Sequence, residues 1–550
     1  MRRHFLFLVS WAILIPSTLA QSQNGGQNQP AAPGSADSCG KLASLALPDA
    51  AITTAKAYAA GTFVGPPQPF TGADLSSFYS KLPAFCRVVV KATPTSDSSI
   101  IIEVWLPLEG WNGRLQGLGN GGFAGLIDTF ELGASVARGY AATATDTGHT
   151  GSPIDAAWAL GHPEKVADFG HRGIHEMTRV AKLVIQQFYS SGPRHSYFAG
   201  CSDGGREALM EAQRYPADYD GILAGAPANY WTALLSLGAA DTKALTATPA
   251  TFIPPAKLPA IAHAVIAQCD TLDGVSDGIL NDPRQCKFDP ATIQCNQGED
   301  TDKCLTAAQV ATLKTIYGGL KDSKGNVLFP GYQPGAEEGG GGWGTWILGP
   351  APGGSALRAF AHGYFSDMVY EQKDWDLKSF TVDTALKDAN AKTAAALNAT
   401  DPDLTPFRSR GGKLILYHGW DDPAIPSVNT INYYGEVVGK LGQSNVDAFA
   451  RLYMVPGMQH CAGGPGADTF GQSSLWPADP QRNARTALEQ WVEKGTAPDV
   501  IIASKNKGQG FVTSDELLMT RPLCPYPQAA KYKGTGDPAR AENFVCAANK

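Results

Sequence analysis

Tyr197-Phe198-Ala199-Gly200-Cys201-Ser202-Asp203-Gly204-Gly205 is the stretch from which the fold reads outward. An apolar run enters Gly200-x-Ser202-x-Gly204, and a helical pattern of Arg206, Ala208, Leu209, Met210 and Ala212 leaves it. Strand, sharp turn and helix in that order form a nucleophile elbow, where the serine backbone is strained and small residues let neighbouring backbones pass closely. Cys201 directly precedes Ser202, and far along the chain Cys461 directly follows His460. If these cysteines are bridged, their Cα atoms lie about 4.4–6.8 Å apart. Ser202 and His460, each one step of ~3.8 Å away, are then held together as a nucleophile and its general base must be.

A third member is expected between them, because elbow-type serines are followed in the chain by an acid and then a histidine. The strand-like run Lys413-Leu414-Ile415-Leu416-Tyr417 leads into His418-Gly419-Trp420-Asp421-Asp422-Pro423. A carboxylate just past the end of such a strand can orient an imidazole and stabilise its cation. Spacing alone does not separate Asp421 from Asp422. Upstream, Leu115-Gln116-Gly117-Leu118-Gly119-Asn120-Gly121-Gly122-Phe123-Ala124-Gly125 has the form of a glycine-rich oxyanion loop, whose amide would act with that of Asp203. A phosphate cradle is discounted, since no Gly-Lys-Ser/Thr follows. A separate acidic run, Asp270-Thr271-Leu272-Asp273-Gly274-Val275-Ser276-Asp277-Gly278-Ile279, offers carboxylates and tight turns suited to a hard cation. It lacks the EF-hand register and closing Glu.

Gly-Cys-Ser-Asp-Gly-Gly, His-Gly-Trp-x-Asp-Pro and Gln-His-Cys, in this order, closely resemble the tannase and feruloyl esterase family of secreted α/β-hydrolases, over about Cys39 to Cys546. The resemblance implies Ser202, Asp422 and His460 as catalytic residues, with Gly122 and Asp203 as oxyanion donors. It also implies a structural Ca²⁺ on Asp270, Asp273 and Asp277 with the carbonyls of Val275 and Ile279. Chain order together with the family pattern pairs Cys39 with Cys86, Cys201 with Cys461, Cys269 with Cys286, Cys295 with Cys304 and Cys524 with Cys546. The activity implied is hydrolysis of esters of phenolic acids, feruloyl-esterase-like or tannase-like. The substrate would be a small aromatic ester, free or attached to plant polysaccharide or polyphenol. Other aryl esters such as terephthalate monoesters, a secreted serine peptidase and a catalytically silent binding protein are the alternatives.

Arg2-Arg3-His4, an apolar run from Phe5 to about Ile15 and small residues toward Ala20 have the three parts of a secretory leader, expected at 1–20. Residues 21–38, rich in Gln, Asn, Gly, Ser and Pro, read as a disordered linker. Export, secreted or periplasmic, permits ten cysteines to pair as disulfides. No C-x-x-C is present, which argues against a cysteine zinc site; His171 and His175 sit one helical turn apart without a third ligand nearby. A net charge of 44 − 51 = −7, with no basic run past the leader, argues against nucleic acid. No later run reaches the ~18 apolar residues of a membrane span. The one sequon is Asn398-Ala399-Thr400.

Strand-like runs at 87–91, 99–106, 114–118, 140–144 and 196–199 surround a helical pattern near 171–189, and a further strand follows at 221–224. The alternation predicts a doubly wound, mostly parallel α/β sheet, an α/β-hydrolase fold. It pauses near Asn229 and resumes near Lys413 with strands at 414–417 and 449–455 and a helix at 481–493. The catalytic domain is therefore expected at 39–228 and 411–550, with a lid inserted at 229–410. Lid aromatics, including Trp231, Trp343, Trp346, Phe360 and Tyr364, are available to stack on an aromatic acyl group or to form the lid's own core. Arg358 and Arg408 are candidates for contacting a free substrate carboxylate.

Overall fold

The structure, a computed structural model, describes residues 34–68, 72–335, 337–473, 480–509 and 512–548. The expected leader and most of the expected linker lie outside the described residues. The linker's end is corrected: residues 36–38 belong to the helix Ala36–Lys41, because the Ser35 side chain caps it and Cys39 is bridged to Cys86.

Nine strands form the central sheet: β1 (Ala50–Tyr58), β2 (Phe85–Ala92), β3 (Ile100–Pro107), β4 (Arg114–Leu118), β5 (Ala141–Thr145), β6 (His195–Cys201), β7 (Gly221–Gly225), β8 (Lys413–Gly419) and β9 (Ala450–Val455). Their order is β1-β2-β3-β5-β4-β6-β7-β8-β9. β1, β2, β3 and β5 pair antiparallel, and every pair from β5 to β9 is parallel. This is the α/β-hydrolase type of sheet that the strand and helix alternation predicts. β1 falls outside the strand-like runs of the sequence, since its alanines and threonines carry little apolar contrast.

The parallel strands are apolar on both faces, and the period of two sorts them into separate cores. Phe198, Ile222, Leu414, Leu416 and Leu452 face one side with residues of the helices Gly173–Tyr189, Asp203–Arg214 and Val428–Leu441. Tyr197, Leu223, Ile415, Tyr417 and Tyr453 face the other with the helix Ala484–Lys494. The helix expected from 171 begins in regular form at Gly173, preceded by a wider π turn at Asp168–Arg172.

The chain leaves the sheet after β7 and returns at β8, and the expected lid range of 229–410 falls within that interval. Helices at Trp231–Thr246, Leu258–Cys269, Ala307–Gly318, Ala356–Gly363 and Val382–Leu397 lie there. They enclose their own core, in which Trp231, Trp343, Tyr364 and Phe365 are buried while Trp346, Phe360 and Tyr370 are only half-buried. One helical stretch, Pro249–Asp273, is long and apolar enough to cross a membrane by length and composition. Its Ile261, Val265 and Cys269 are buried, and Cys269 is bridged to Cys286.

Two antiparallel pairs near the C-terminus, Ile501–Gln509 with Val512–Leu523 and Gln528–Tyr532 with Phe544–Ala548, add to the elements expected from the sequence. Their sequences interrupt the apolar alternation with Lys, Gly and Gln. Five disulfides join Cys39 to Cys86, Cys201 to Cys461, Cys269 to Cys286, Cys295 to Cys304 and Cys524 to Cys546, the pairs the resemblance implies. Cys295 and Cys304, nine positions apart, close a short loop within the inserted segment, where Cys295 N–H also donates to Leu305 O at 2.8 Å.

Candidate active site

Ser202 stands between the end of β6 and the helix Asp203–Arg214, with φ 68° and ψ −121°. A non-glycine residue is strained there, so the surroundings must impose the turn. Ser202 N–H donates to Gly225 O at 3.0 Å, while Ser202 O accepts from Arg206 N at 3.1 Å and Ala228 N at 3.1 Å. Tight packing demands the neighbouring glycines: a Cβ at Gly200 would lie 2.5 Å from Gly204 O, and one at Gly205 would lie 2.2 Å from Gly225 O. Inside the helix, fully buried Arg206 pairs with Asp203 at 2.7 Å and donates to the carbonyls of Phe169 and Gly170. Its guanidinium also lies over the Phe169 and Trp231 rings. The elbow is thus locked onto the π turn beneath the inserted segment.

The glycine-rich loop after β4 lies against this elbow. Gly204 N–H donates to Asn120 O at 2.9 Å, Asn120 N–H donates to Glu207 Oε2 at 2.8 Å, and a Cβ at Gly119 would sit 2.7 Å from Gly204 Cα. Gly122 adopts φ 61°, and a Cβ there would meet Pro153 O at 2.2 Å, so only glycine fits. Among the described residues, the amides of Gly122 and Asp203 donate to no acceptor. Backbone N–H groups without partners, on the loop and at a helix start, are suited to a developing oxyanion.

His460 Nδ1–H donates to Asp422 Oδ2 at 2.8 Å. Asp422 is completely buried and also accepts from the amides of Ala424 (2.8 Å) and Ile425 (2.9 Å) on Oδ1 and from His418 Nε2 (3.1 Å) on Oδ2. Burial alone would raise its pKa, yet the His460 and His418 imidazoles hold the carboxyl well below the ordinary carboxylate value. Asp421 behaves oppositely: burial, and then the Glu337 charge, push its carboxyl well above that value, and its Oδ1 has no partner. Asp422 reaches the histidine and Asp421 does not. The acid turn approaches the histidine loop closely because position 419 is glycine; a Cβ there would lie 2.1 Å from Met458 O.

The Cys201–Cys461 bridge, with Cα atoms 6.0 Å apart, ties the elbow to the histidine loop. No hydrogen bond joins Ser202 Oγ to the imidazole, whose Nδ1 is engaged by Asp422. The inserted segment reaches the same place. The Trp346 ring meets the His460 ring edge-on with centroids 5.0 Å apart, and Phe360 contacts Phe123 of the oxyanion loop at 5.3 Å. Gln459, next to His460, donates to Glu338 O at 2.8 Å and lies against Gly339, Gly341 and Gly342.

The acidic run folds as a tight turn. Asp270 accepts from the amides of Asp277 and Gly278 and from the Ser276 hydroxyl, and Asp277 pairs with Arg521 at 2.5 Å. Asp273 is pushed up to about 6 by burial, with the neighbouring Asp277 and Asp270 charges contributing. Among the described residues no cluster of three His, Cys, Asp or Glu groups is assembled to hold a metal ion. The run carries three carboxylates, the oxygen donors that a hard cation takes, and in this arrangement they are met by backbone amides, the Ser276 hydroxyl and Arg521. His171 and His175 each find other partners, the Tyr215 hydroxyl and Asp218. Arg358 is exposed and Arg408 half-buried, and neither contacts the triad.

His418 and Glu207 carry interactions that sequence reasoning does not assign. The histidine of His-Gly-x-x-Asp, four residues before Asp422, is the available signal for the first. A buried glutamate one helical turn after Asp203 is the signal for the second.

A sequence profile described as tannase and feruloyl esterase matches residues 86–547. The chain is 39% identical over 534 residues to an uncharacterized esterase of Xanthomonas campestris, covering 92% of this chain and 91% of that one. It is 36% identical over 470 residues to a probable feruloyl esterase B of Aspergillus clavatus, covering 84% and 86%. The crystal structure of feruloyl esterase B from Aspergillus oryzae superposes with a TM-score of 0.83 at 30% identity, covering 93% of this chain and all of that one.

Proposed function

The chain belongs to the tannase and feruloyl esterase family and is a carboxylic ester hydrolase, and on that premise we propose that it cleaves esters of phenolic acids by two-step acyl transfer through Ser202. The observation that carries this reading is the tether. Cys201–Cys461 joins the strained serine turn to the histidine loop, and the histidine is in turn seated on the buried Asp422 carboxylate. His460 Nε2 takes the hydroxyl proton as Ser202 attacks the ester carbonyl, and Asp422 fixes the tautomer that leaves Nε2 free to accept. The Gly122 and Asp203 amides bind the oxyanion, each worth ~3 kcal/mol in the transition state. The alcohol leaves with the proton from His460. Water activated by the same imidazole then releases the acid.

The inserted segment acts as a lid whose half-buried Trp346 and Phe360 face the catalytic loops, an apolar surface suited to a flat aromatic acyl group. Ca²⁺ would be held by Asp270, Asp273 and Asp277 with the carbonyls of Val275 and Ile279, where its charge would offset carboxylate crowding and brace the turn. Five disulfides suit an oxidising compartment, extracellular or periplasmic.

The test is initial-rate hydrolysis of methyl ferulate, methyl gallate, a terephthalate monoester and a short p-nitrophenyl ester by wild type and Ser202→Ala. Turnover of the phenolic esters, abolished by the substitution, is expected. Preference for the terephthalate monoester or for none of the panel would move the assignment to another acyl class.

A further inference from the structure

We propose that His418 is a positioning residue for the Ser202 reaction: its Nε2–H holds the Asp422 carboxylate in the orientation that the His460 imidazole requires. The inference rests on the reading of Ser202, Asp422 and His460 as the catalytic set.

Position 418 continues the register of Leu414 and Leu416 along β8, on the face that packs against helices, so the strand pattern calls for an apolar side chain. A completely buried imidazole stands there instead. A buried polar ring is costly unless hydrogen-bonded, and both ring nitrogens are. Nε2 lies 3.1 Å from Asp422 Oδ2 and 3.1 Å from Ile425 O. Carboxylate and carbonyl oxygens only accept, so Nε2 carries the proton. Nδ1 lies 2.7 Å from the Thr430 hydroxyl on the helix Val428–Leu441, which fixes the ring plane from the opposite side. His418 is therefore anchored to a helix and to the acid turn at once.

Asp422 Oδ2 thereby receives two imidazole donors, one from each side, while the two backbone amides hold Oδ1. Without His418, His460 would be the sole side-chain donor holding Oδ2, and the carboxylate could swing with the imidazole it is meant to orient. The second donor also withdraws part of the carboxylate charge.

The experiment compares full-chain wild type, His418→Leu, His418→Gln and Thr430→Val by kcat and KM, per active site counted by stoichiometric phosphonylation of Ser202. His418→Leu is expected to lower kcat on the order of 10–100-fold, the usual scale for loss of a partner that orients a functional side chain. KM should change little. His418→Gln, which keeps an N–H donor, should recover part of the lost kcat, and Thr430→Val should show a smaller loss in kcat. Wild-type kcat in His418→Leu would overturn the proposal. Should that variant fail to fold, the same null result in Thr430→Val overturns it. Hydrolysis that survives Ser202→Ala is a different result and would overturn the reading of the triad itself.

Discussion

Asp421 and Asp422 are adjacent in the chain and opposite in chemistry. Asp422 has four hydrogen-bond donors and stays ionised; Asp421 is buried with an unpartnered oxygen, which favours its protonated form. Asp422→Asn is expected to lower kcat by about 10⁴-fold, because the amide favours the wrong imidazole tautomer, whereas Asp421→Asn should keep kcat of wild-type order. A side-by-side rate measurement checks both. Asp146, beneath the oxyanion loop, governs a separate property. Burial pushes its carboxyl up to about 7, against the amides of Gly148 and Ile101 that donate to Oδ1, and its Oδ2 has no partner. A carboxyl whose folded pKa lies above its unfolded value stabilises the fold below the unfolded pKa, and that contribution is lost as pH rises through the folded one. Wild-type melting temperature should therefore fall between about pH 4 and 7 through this group, and Asp146→Asn should flatten the fall. Thermal melts across that range decide it.

The elements that matter most are two turns, the elbow after β6 and the histidine loop after β9, joined across 260 residues by Cys201–Cys461. Neither turn pairs with the other through a strand ladder, and Ser202 makes no hydrogen bond to His460, so the bridge is the direct covalent constraint on their approach. Selective reduction of this bridge is expected to remove most activity while far-ultraviolet circular dichroism stays native, because the nine-stranded sheet does not depend on it. Full activity with Cys201 shown by alkylation to be reduced would contradict that role. The same histidine loop is gripped by the glycine run of the inserted segment through Gln459, and its imidazole is edged by Trp346. The inserted segment is thus in direct contact with the histidine loop on two sides.

Across the whole molecule, the acidic turn at 270–279 joins the inserted segment to the C-terminal strands. Asp277 pairs with Arg521, Val275 packs with Cys524 and Phe544, and Asn281 donates to Ala530 O. With Ca²⁺ proposed there, chelation should lower the melting temperature and added Ca²⁺ restore it, as for any ligand that binds only the folded state. Initial rates at low temperature should hardly change, since no element of the turn touches the triad. Asp270→Ala should abolish the calcium-dependent shift. A chelator-insensitive melt of protein freed of calcium would refute the site.

How much of this is legible in the chain depends on how local the cause is. The elbow, the oxyanion loop, the order serine, acid, histidine and the two-faced strands rest on residues a few positions apart, where steric limits and side-chain periodicity act directly. The Cys-Ser and His-Cys adjacencies carry long-range information as well, because one covalent bond turns two local pairs into a distance. β1 and the C-terminal strands are not legible: at sheet edges and in surface ribbons the backbone ladder, rather than apolar alternation, holds the strand. Spacing alone leaves the two adjacent aspartates level and the family resemblance implies Asp422; the folded structure shows Asp422 facing an imidazole 38 residues on, and only the folded structure reveals that His418 shares its oxygen. Those outcomes follow from the direction in which β8 delivers its turn against the histidine loop, and that direction is set by packing across the whole sheet.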